Sequence, residues 1–268
     1  MAQTPNWDPP NTNTPTAKTT VTSFRVIEAL LQHKTSGVSE LAAEVDLAKG
    51  TVHKHLNTLR QLGYVVKDGT TYRLSLSFLR IGTTIRAAIP LYSISQAPLE
   101  SLAEATSEVA SIVVPENDWG IYLSRVQTDE ERVLSIQEGE RIPLHATAGG
   151  KAILAYMSEA ERDRILEERG LPAITDKTIT DAEKLKKELQ YIYDKRSATD
   201  RGEHRIDRHC IATPIVDTDG RAMGAVTLSG PAERMAQKVE EYDIPSIVSS
   251  TANNIQTQFS RSVNSAQQ

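Results

Sequence analysis

An acid-free amphipathic segment constrains this chain more than any other feature. Residues 47–63 read Leu-Ala-Lys-Gly-Thr-Val-His-Lys-His-Leu-Asn-Thr-Leu-Arg-Gln-Leu-Gly, without a single Asp or Glu. Apolar residues recur at helical spacing from Val52 to Leu62, which predicts a helix with one buried face. Gly63 follows where a left-handed helix C-cap is expected. The outer face offers only cations and neutral polar groups, so it is suited to lie against a polyanion.

The elements around this segment predict a winged helix-turn-helix domain over residues 18–76. A first helix should bury a stripe that includes Phe24 and Leu31 and should end at Ser36-Gly37. Ser39 can cap a short second helix, which leads into the helix of residues 49–62. Two short strands, 64–67 and 70–74, flank Asp68-Gly69, a dipeptide typical of a type I′ hairpin turn. The predicted fold is mainly α-helical with a β-hairpin wing.

The rest of the chain predicts a linker helix and a second domain. Residues 77–90 have apolar residues at helical spacing and end at Pro90, so they are interpreted as a linker and dimerisation helix. Strand and helix patterns over 91–264 favour an α+β domain. The predicted elements are helix 98–108, strands 109–114, 120–126 and 133–138, helices opened by capping boxes at 158–161 and 180–183, strands 210–216 and 222–228, and helix 244–259.

Composition and charge exclude several classes of protein. Apolar residues are 39% and charged residues 24% of the chain, as in globular proteins. The longest weakly charged apolar run, 87–96, is too short to cross a bilayer, and no signal peptide is recognised at the N-terminus, so we expect a cytoplasmic protein without membrane contact. The single cysteine, Cys210, excludes an intrachain disulfide and a cysteine-cluster zinc site. Residues 1–17 are rich in Pro, Asn and Thr and are predicted to be a disordered tail.

The charge distribution agrees with nucleic-acid binding by the N-terminal part. Residues 1–85 contain nine Lys or Arg and six Asp or Glu, whereas the remainder contains 21 and 29. In helix-turn-helix proteins the N-terminal residues of the second motif helix read base edges. A solvated amphipathic helix is the alternative interpretation. The candidate DNA-binding residues are Ser39, Lys49, Gly50, Thr51, His53, Lys54 and Asn57, with Lys67 and Arg73 on the hairpin near the phosphate backbone.

Two patterns in the second domain have competing interpretations. Small residues at 147–150 stand at a predicted helix start, where backbone N–H groups suit an anion; a tight loop-to-helix junction is the alternative. Cys210 beside His209 permits a cysteine nucleophile with a histidine base, although adjacent strand residues point to opposite faces. His145, His204 and His209 match no standard metal-ligand spacing, and neither a metal nor a cofactor is expected.

Several motifs resemble IclR-type transcriptional regulators. They are Ser39-Glu40-Leu41-Ala42, Lys49-Gly50-Thr51-Val52-His53-Lys54, Leu59-Arg60-Gln61-Leu62-Gly63-Tyr64-Val65, Pro143 to Ala152, Cys210 to Asp217, and Val226 to Pro231. The resemblance runs from about Val21 to Phe259. It departs at Ala48 and Gly50, where the family usually has Pro and Ser.

The resemblance implies a dimeric or tetrameric repressor or activator whose C-terminal domain, with a GAF-like antiparallel sheet, binds a small molecule. The ligand-binding positions that it implies are Thr147, Ala148, Gly149, Asp200, Cys210, Thr227 and Ser229. The expected function is therefore a ligand-responsive transcriptional regulator that reads a pseudo-palindromic operator in double-stranded DNA. Its expected partners are a small-molecule effector, with an organic acid as one candidate, and further copies of the chain as a homodimer or dimer of dimers. The alternative is a small-molecule enzyme with Cys210 as its nucleophile.

Overall fold

A computed structural model describes residues 15–128 and 137–266. The chain divides between Ile85 and Arg86 into two compact units. The N-terminal unit contains α1 (Lys18–His33), β1 (Ser36–Gly37), α2 (Val38–Glu44), α3 (Lys49–Gln61), β2 (Val65–Asp68), β3 (Thr71–Leu74) and most of α4 (Ser77–Ala87). The three strands form an antiparallel sheet in the order β1-β3-β2. This arrangement confirms the predicted winged helix-turn-helix.

The core of the N-terminal unit joins all three helices of the fold to the hairpin. Leu30 of α1, Leu41 of α2 and Leu56 of α3 are fully buried together with Tyr72 of β3. The prediction was wrong for three residues. Phe24, Leu31 and Leu62 were each expected to face this core, and each is more than half exposed. The buried face of α1 instead runs through Val26, Ile27, Ala29 and Leu30, and α3 ends one residue before Leu62.

The start of α2 differs from the prediction that Ser39 caps it. Gly37 is the N-cap, and Ser39 lies within the first turn with its side chain exposed. Glu40 satisfies the helix start, because its Oε2 accepts hydrogen bonds from Ser36 Oγ at 2.8 Å and from the Gly37 N–H at 3.0 Å. Ser36 and Gly37 also pair with β3, so they form an edge strand where only a helix stop was expected.

The hairpin turn is displaced by one residue from the predicted position. Asp68 pairs with Thr71, which leaves Gly69 and Thr70 as the two-residue loop. Gly69 has a φ of 56°, whereas Thr70 is not among the residues with positive φ. A type I′ turn needs positive φ at both central residues and a type II′ turn at the first alone, so the backbone fits type II′.

The C-terminal unit is an α+β domain built on one antiparallel sheet. Its elements are α5 (Pro90–Thr106), β4 (Val109–Glu116), β5 (Trp119–Val126), β6 (Arg141–Ile142), α6 (Ala148–Leu154), α7 (Glu159–Arg169), α8 (Ala182–Lys195), β7 (Ala198–Arg201), β8 (Arg208–Val216), β9 (Ala222–Pro231), α9 (Ala232–Glu241) and α10 (Ile244–Ala266). The strand order is β6-β5-β4-β9-β8-β7, with every neighbouring pair antiparallel. The predicted α+β class is confirmed.

The two faces of this sheet have separate apolar cores. Residues such as Ile112 and Leu228 pack with α5 and α10 on one face. Val113, one position from Ile112, and Ala225, three positions from Leu228, pack with α6 and α8 on the other. This separation follows from the alternation of side chains along a strand.

Several predicted boundaries in the C-terminal unit need correction. Helix α5 begins at Pro90 rather than at residue 98 and continues through Pro98, while α10 extends past Phe259. The cap of α8 is Asp181, whose carboxylate accepts from the Lys184 N–H at 2.8 Å, rather than Thr180. In the predicted strand 133–138, residues 133–136 lie outside the described residues, and residues 137–138 are not in a strand. Residues 1–14 of the predicted tail also lie outside the described residues.

Candidate nucleic-acid interface and ligand site

Helix α3 is held by its apolar side so that its polar side faces outward. Val52, Leu56 and Leu59 are buried in the core of the N-terminal unit. His55 adds a polar anchor, because its Nδ1 lies 2.9 Å from Ser23 Oγ of α1. The orientation of α3 is therefore fixed by both apolar and hydrogen-bonded contacts.

The predicted reading residues share the exposed side of α3. Lys49, Gly50, Thr51, His53 and Lys54 are exposed, and Asn57 is half-buried. The Asn57 amide nitrogen lies 3.3 Å from His53 Nδ1, so these two side chains support each other one turn apart. Arg60 is also exposed in the last turn and adds a cation that was left out of the predicted set.

The N-terminus of α3 is favourable for a phosphate. Its first turn contains no acidic residue, and Ala48 at the N-cap offers no side-chain acceptor to the first N–H groups. Unpaired N–H groups and the helix dipole together give this end a partial positive charge. A Cβ added at Gly50 would meet no atom within 4 Å, so the surface beside the first turn is open.

The remaining predicted DNA-binding residues surround α3 in the sequence but lie on other elements. Lys67 and Arg73 are exposed on the hairpin strands, with Lys67 Nζ at 5.7 Å from the centroid of the Tyr72 ring. Arg73 Nη1 donates to the Leu74 carbonyl at 3.3 Å. Ser39 is exposed on α2. All of these side chains are available to solvent in the N-terminal unit.

In the C-terminal unit, the sheet face under α6 has a polar row, which we define as Arg125, Ser111 and Thr227. Ser111 of β4 pairs with Arg125 of β5 on one side and with Thr227 of β9 on the other. Paired residues of neighbouring antiparallel strands project from the same face. Sequence analysis missed Ser111 and Arg125, whose only signal was their position on strands.

A second polar set lies one step further along the same face. Cys210 of β8 pairs with Ser229 of β9 and with Asp200 of β7. The register therefore brings together four of the seven predicted ligand positions, since Thr227 lies two residues from Ser229 on β9. Arg208 joins them, because its Nη2 donates to the Ser229 carbonyl at 3.1 Å and to Ser229 Oγ at 3.2 Å.

The predicted loop 147–149 packs directly on this sheet. Thr147 caps α6 by accepting the Gly150 N–H at 3.2 Å, and its hydroxyl donates to the Pro143 carbonyl at 3.0 Å. A Cβ added at Gly149 would lie 2.9 Å from Thr227 Cγ2, and Ala148 is fully buried. Small residues are therefore required here for the close approach of α6 to β9, which is the structural alternative considered from the sequence.

The electrostatics around Cys210 keep its thiol protonated. Burial, reinforced by the nearby Asp200 carboxylate, raises the pKa of Cys210 to about 12. His209 belongs to the opposite side of β8, where it pairs with Arg201 and Gly230. A cysteine nucleophile needs a thiolate or an activating base, whereas the Cys210 thiol is neutral, His209 faces away from it, and the paired Asp200 carboxylate raises its pKa further.

A buried charge network lies behind Asp200. Lys151 of α6 is fully buried and places its Nζ 2.5 Å from Glu203 Oε1 and 3.4 Å from Glu188 Oε1. Asp200 Oδ1 accepts the Glu203 N–H at 2.6 Å and the His204 N–H at 3.4 Å. Burial raises the pKa of Asp200 to about 6 and lowers the pKa of His204 to about 4. Asp200 therefore titrates close to neutrality.

Residues 15–128 and 137–266 contain neither a metal-binding cluster nor a membrane-spanning helix. No group of three or more His, Cys, Asp or Glu side chains there has an arrangement that could hold a metal ion. No helix in the same ranges combines the length and hydropathy needed to cross a membrane.

Comparison with known families matches both parts of the chain. Residues 22–69 match the IclR helix-turn-helix domain. Residues 84–257, more than half of the chain, match the C-terminal domain of the bacterial transcriptional regulator IclR.

Individual relatives agree with this assignment. The chain is 33% identical over 208 residues to the transcriptional regulator BhcR of Paracoccus denitrificans, covering 74% of this chain and 72% of that protein. It is 28% identical over 222 residues to the transcriptional regulator KdgR of Escherichia coli, covering 82% and 84%. A crystal structure of an IclR homologue from Microbacterium hydrocarbonoxydans, complexed with 4-hydroxybenzoate, matches with a TM-score of 0.76 at 20% identity and covers 91% of this chain and 99% of that one. With its helix-turn-helix and its α+β domain, this chain belongs to the IclR family of bacterial transcriptional regulators.

Proposed function

We propose that this regulator reads a pseudo-palindromic operator by inserting α3 into the major groove and changes its DNA affinity when its C-terminal domain binds a small metabolite. The observation that supports DNA reading most directly is the acid-free, exposed side of α3. Asn57 can hydrogen-bond base edges there, Lys49 and Lys54 can contact both base edges and phosphates, and Thr51 and His53 add donors beside them. Lys67 and Arg73 of the hairpin neutralise flanking phosphates.

Exposed apolar side chains of the N-terminal unit support a homodimer as the DNA-binding form. Leu79 and Ile85 of α4 are 62% and 58% exposed, and Phe24 and Leu31 of α1 are exposed to the same extent. A second copy of the chain would bury these residues by an isologous contact, which also supplies the two-fold symmetry that a pseudo-palindrome requires. We assign no preference between a dimer and a dimer of dimers.

The ligand site proposed for the effector is the sheet face under α6. Its predicted members are Thr147, Ala148, Gly149, Asp200, Cys210, Thr227 and Ser229. The homologue complexed with 4-hydroxybenzoate supports an organic acid as the effector class. Differential binding of this effector to two states of the protein would then change the DNA affinity.

The C-terminal domain is proposed to act as a sensor without turnover. The support is the protonated thiol of Cys210, which has no contact with His209 on the opposite side of β8, together with the regulator names of the relatives. Cys210→Ser should therefore leave DNA binding intact, and the wild type should bind its ligand without forming a product. Product formation by the wild type that Cys210→Ser abolishes would establish the enzyme alternative instead.

A mobility-shift titration tests DNA reading by α3. The DNA is the region upstream of the gene that encodes this chain, and the variant is Lys49→Ala/Lys54→Ala. We expect at least about tenfold weaker binding and a salt slope reduced by about two per chain, because each phosphate contact contributes about 0.9. Lys184→Ala/Lys187→Ala on α8 is the matched control with the same change in net charge. Equal binding by both double variants would refute the assigned helix.

A further inference from the structure

The polar row contains buried polar atoms that lack strong partners. Ser111 and Thr227 are 1% and 2% exposed. Within the described ranges, neither Ser111 Oγ nor Arg125 Nε has a hydrogen-bond partner, and the Thr227 hydroxyl has only the weakly bonding Cys210 thiol beside it. Unpaired buried polar groups are rare in native proteins, because each one has lost its hydrogen bonds to water without gaining others. Two unpaired atoms and one weakly paired hydroxyl in register on neighbouring strands therefore mark a site built for another molecule.

Arg125 is oriented for this role by an aromatic platform. Its Cζ lies 4.1 Å from the centroid of the Tyr122 ring, and Tyr122 is itself buried on β5. The guanidinium also makes a side-chain hydrogen bond with Tyr122, so the stacked ring fixes its plane and Nε is the donor left without a partner. No carboxylate of the described residues lies within ion-pair distance of Arg125, although other buried cations such as Lys151 are paired.

Comparison with Arg208 shows what a structural arginine on this face looks like. Arg208 is partly buried on β8, yet its Nη2 donates to both the carbonyl and the hydroxyl of Ser229. Arg125 has no such acceptor for its Nε. The difference indicates that Arg125 is kept for an acceptor that the chain itself does not supply.

We infer that Arg125, together with the hydroxyls of Ser111 and Thr227, binds the carboxylate of the effector. This inference rests on the proposed sensor function and names the chemistry of its site. A guanidinium edge and two hydroxyl donors match the acceptor geometry of a carboxylate, and the charge of Arg125 strengthens those hydrogen bonds. The neutral Cys210 thiol beside Thr227 adds no negative charge against the anion.

The binding experiment uses organic acids and their uncharged amides on the full-length chain. The probes are 4-hydroxybenzoate, pyruvate and succinate, each compared with the corresponding amide by thermal shift and calorimetry. We expect at least one acid to raise Tm while its amide does not, and Arg125→Met to weaken that acid at least about tenfold. Arg169→Met is the matched control, because Arg169 also stacks on an aromatic ring of β5, at 5.0 Å from Trp119, but lies outside the polar row.

A second measurement keeps the inference independent of ligand identity. If the row is built for a ligand, Thr227→Val and Ser111→Ala remove unpaired hydroxyls and should leave Tm of the ligand-free protein unchanged or raise it. Both should nevertheless weaken the acid that binds the wild type. A purely structural role predicts a lower Tm for both variants and unchanged acid binding.

The outcomes separate this inference from the proposed function. Equal binding of acid and amide, or acid binding that survives Arg125→Met, overturns the role of Arg125 and leaves the sensor function standing. Absence of binding by every probe overturns the inference together with the proposed organic-acid effector, whereas DNA binding in the mobility-shift titration would still stand.

Discussion

At the scale of single residues, Asp200 links the charge network to pH. Burial raises its pKa from an ordinary 3.8 to about 6, so folding penalises its charged form. The groups that face it are Glu203, Lys151, His204 and Cys210. Comparing the free energy of unfolding of the wild type with that of Asp200→Asn isolates the contribution of Asp200 itself. The penalty is absent below the unfolded pKa, grows as pH rises, and is complete above about 6.

The prediction concerns the unfolding free energy of wild type relative to Asp200→Asn. Asparagine keeps an acceptor for the Glu203 N–H without the buried charge. We expect the variant to be more stable by about 2 kcal/mol at pH 7.5 and the difference to shrink toward pH 5. Urea unfolding at several pH values measures it. A difference that is constant across this range would show that Asp200 does not titrate there.

Substitution by alanine should change the stability in opposite directions at Gly50 of α3 and at Gly63, which follows the C-terminus of α3. Gly50 has ordinary helical φ and open space around its Cβ position, so Gly50→Ala should stabilise the fold by about 0.5–1 kcal/mol. Gly63 has a φ of 82°, which an L side chain adopts with strain, so Gly63→Ala should destabilise by about 1 kcal/mol. Chemical denaturation of both variants tests this contrast, and effects of equal sign would contradict it.

At the scale of secondary-structure elements, α9 is attached to the sheet by a buried ion cluster. The Glu108 carboxylate, next to the start of β4, is fully buried between Arg234 and Lys238 of α9, with Arg234 Nη2 at 2.7 Å from Oε2 and Lys238 Nζ at 2.9 Å from Oε1. Burial alone would raise the pKa of Glu108, but hydrogen bonds from these two cations lower it below 4.5. Gly230 leaves the space that this carboxylate occupies.

Breaking this cluster should lower the free energy of unfolding more than the same substitution at an exposed glutamate. Glu108→Gln leaves two cations without their counter-charge, so we expect a loss of about 2–4 kcal/mol at pH 7. Because the folded pKa is depressed, the contribution of Glu108 is complete above about 4.5 and is lost as pH falls through the folded value. Glu104→Gln, exposed on α5, is the control and should change stability by less than about 0.5 kcal/mol. A pH-independent difference would contradict the assignment.

The elements also show which parts of the site a sequence can predict. Helix α3, the two hairpin strands and the turn at residues 217–220 follow from local periodicity and turn residues, and the structure has α3 and the hairpin within one residue of the predicted bounds. Arg125 and Ser111 could not be identified in this way. Their proximity to Thr227 depends on the register of β4 with its neighbours β5 and β9, and β9 lies about 100 residues further along the chain and meets β4 only in the folded sheet.

The sequence also could not predict which face of α1 is buried. Phe24 and Leu31 fit an apolar stripe as well as Val26 and Ala29 do, because α1 is apolar over more than one face. Only the packing of α1 against α2, α3 and the hairpin decides which face is covered. The apolar face of α1 that stays exposed therefore indicates contacts between copies of the chain rather than part of the core.

At the scale of the whole molecule, this excess apolar surface leads to a prediction about assembly. A contact between two copies through α4 would remove Leu79 and Ile85 from water at about 25 cal/mol per Å² of apolar area. Leu79→Glu/Ile85→Glu would place four carboxylates in that contact, two from each copy. We therefore expect the wild type to sediment as the proposed dimer and the variant to sediment as a monomer at the same concentration.

DNA binding distinguishes loss of the dimer from loss of the fold. Neither side chain belongs to the buried core of the N-terminal unit, so the far-UV circular dichroism and the Tm of that unit should be retained. Binding to a single half-site should persist, because α3 is unchanged, while the advantage of a two-half-site operator over one half-site disappears. Lys184→Ala/Lys187→Ala lowers the net charge by the same two units per chain and is the control that should keep the dimer. A double α4 variant that still prefers the full operator would place the dimer contact elsewhere on the chain.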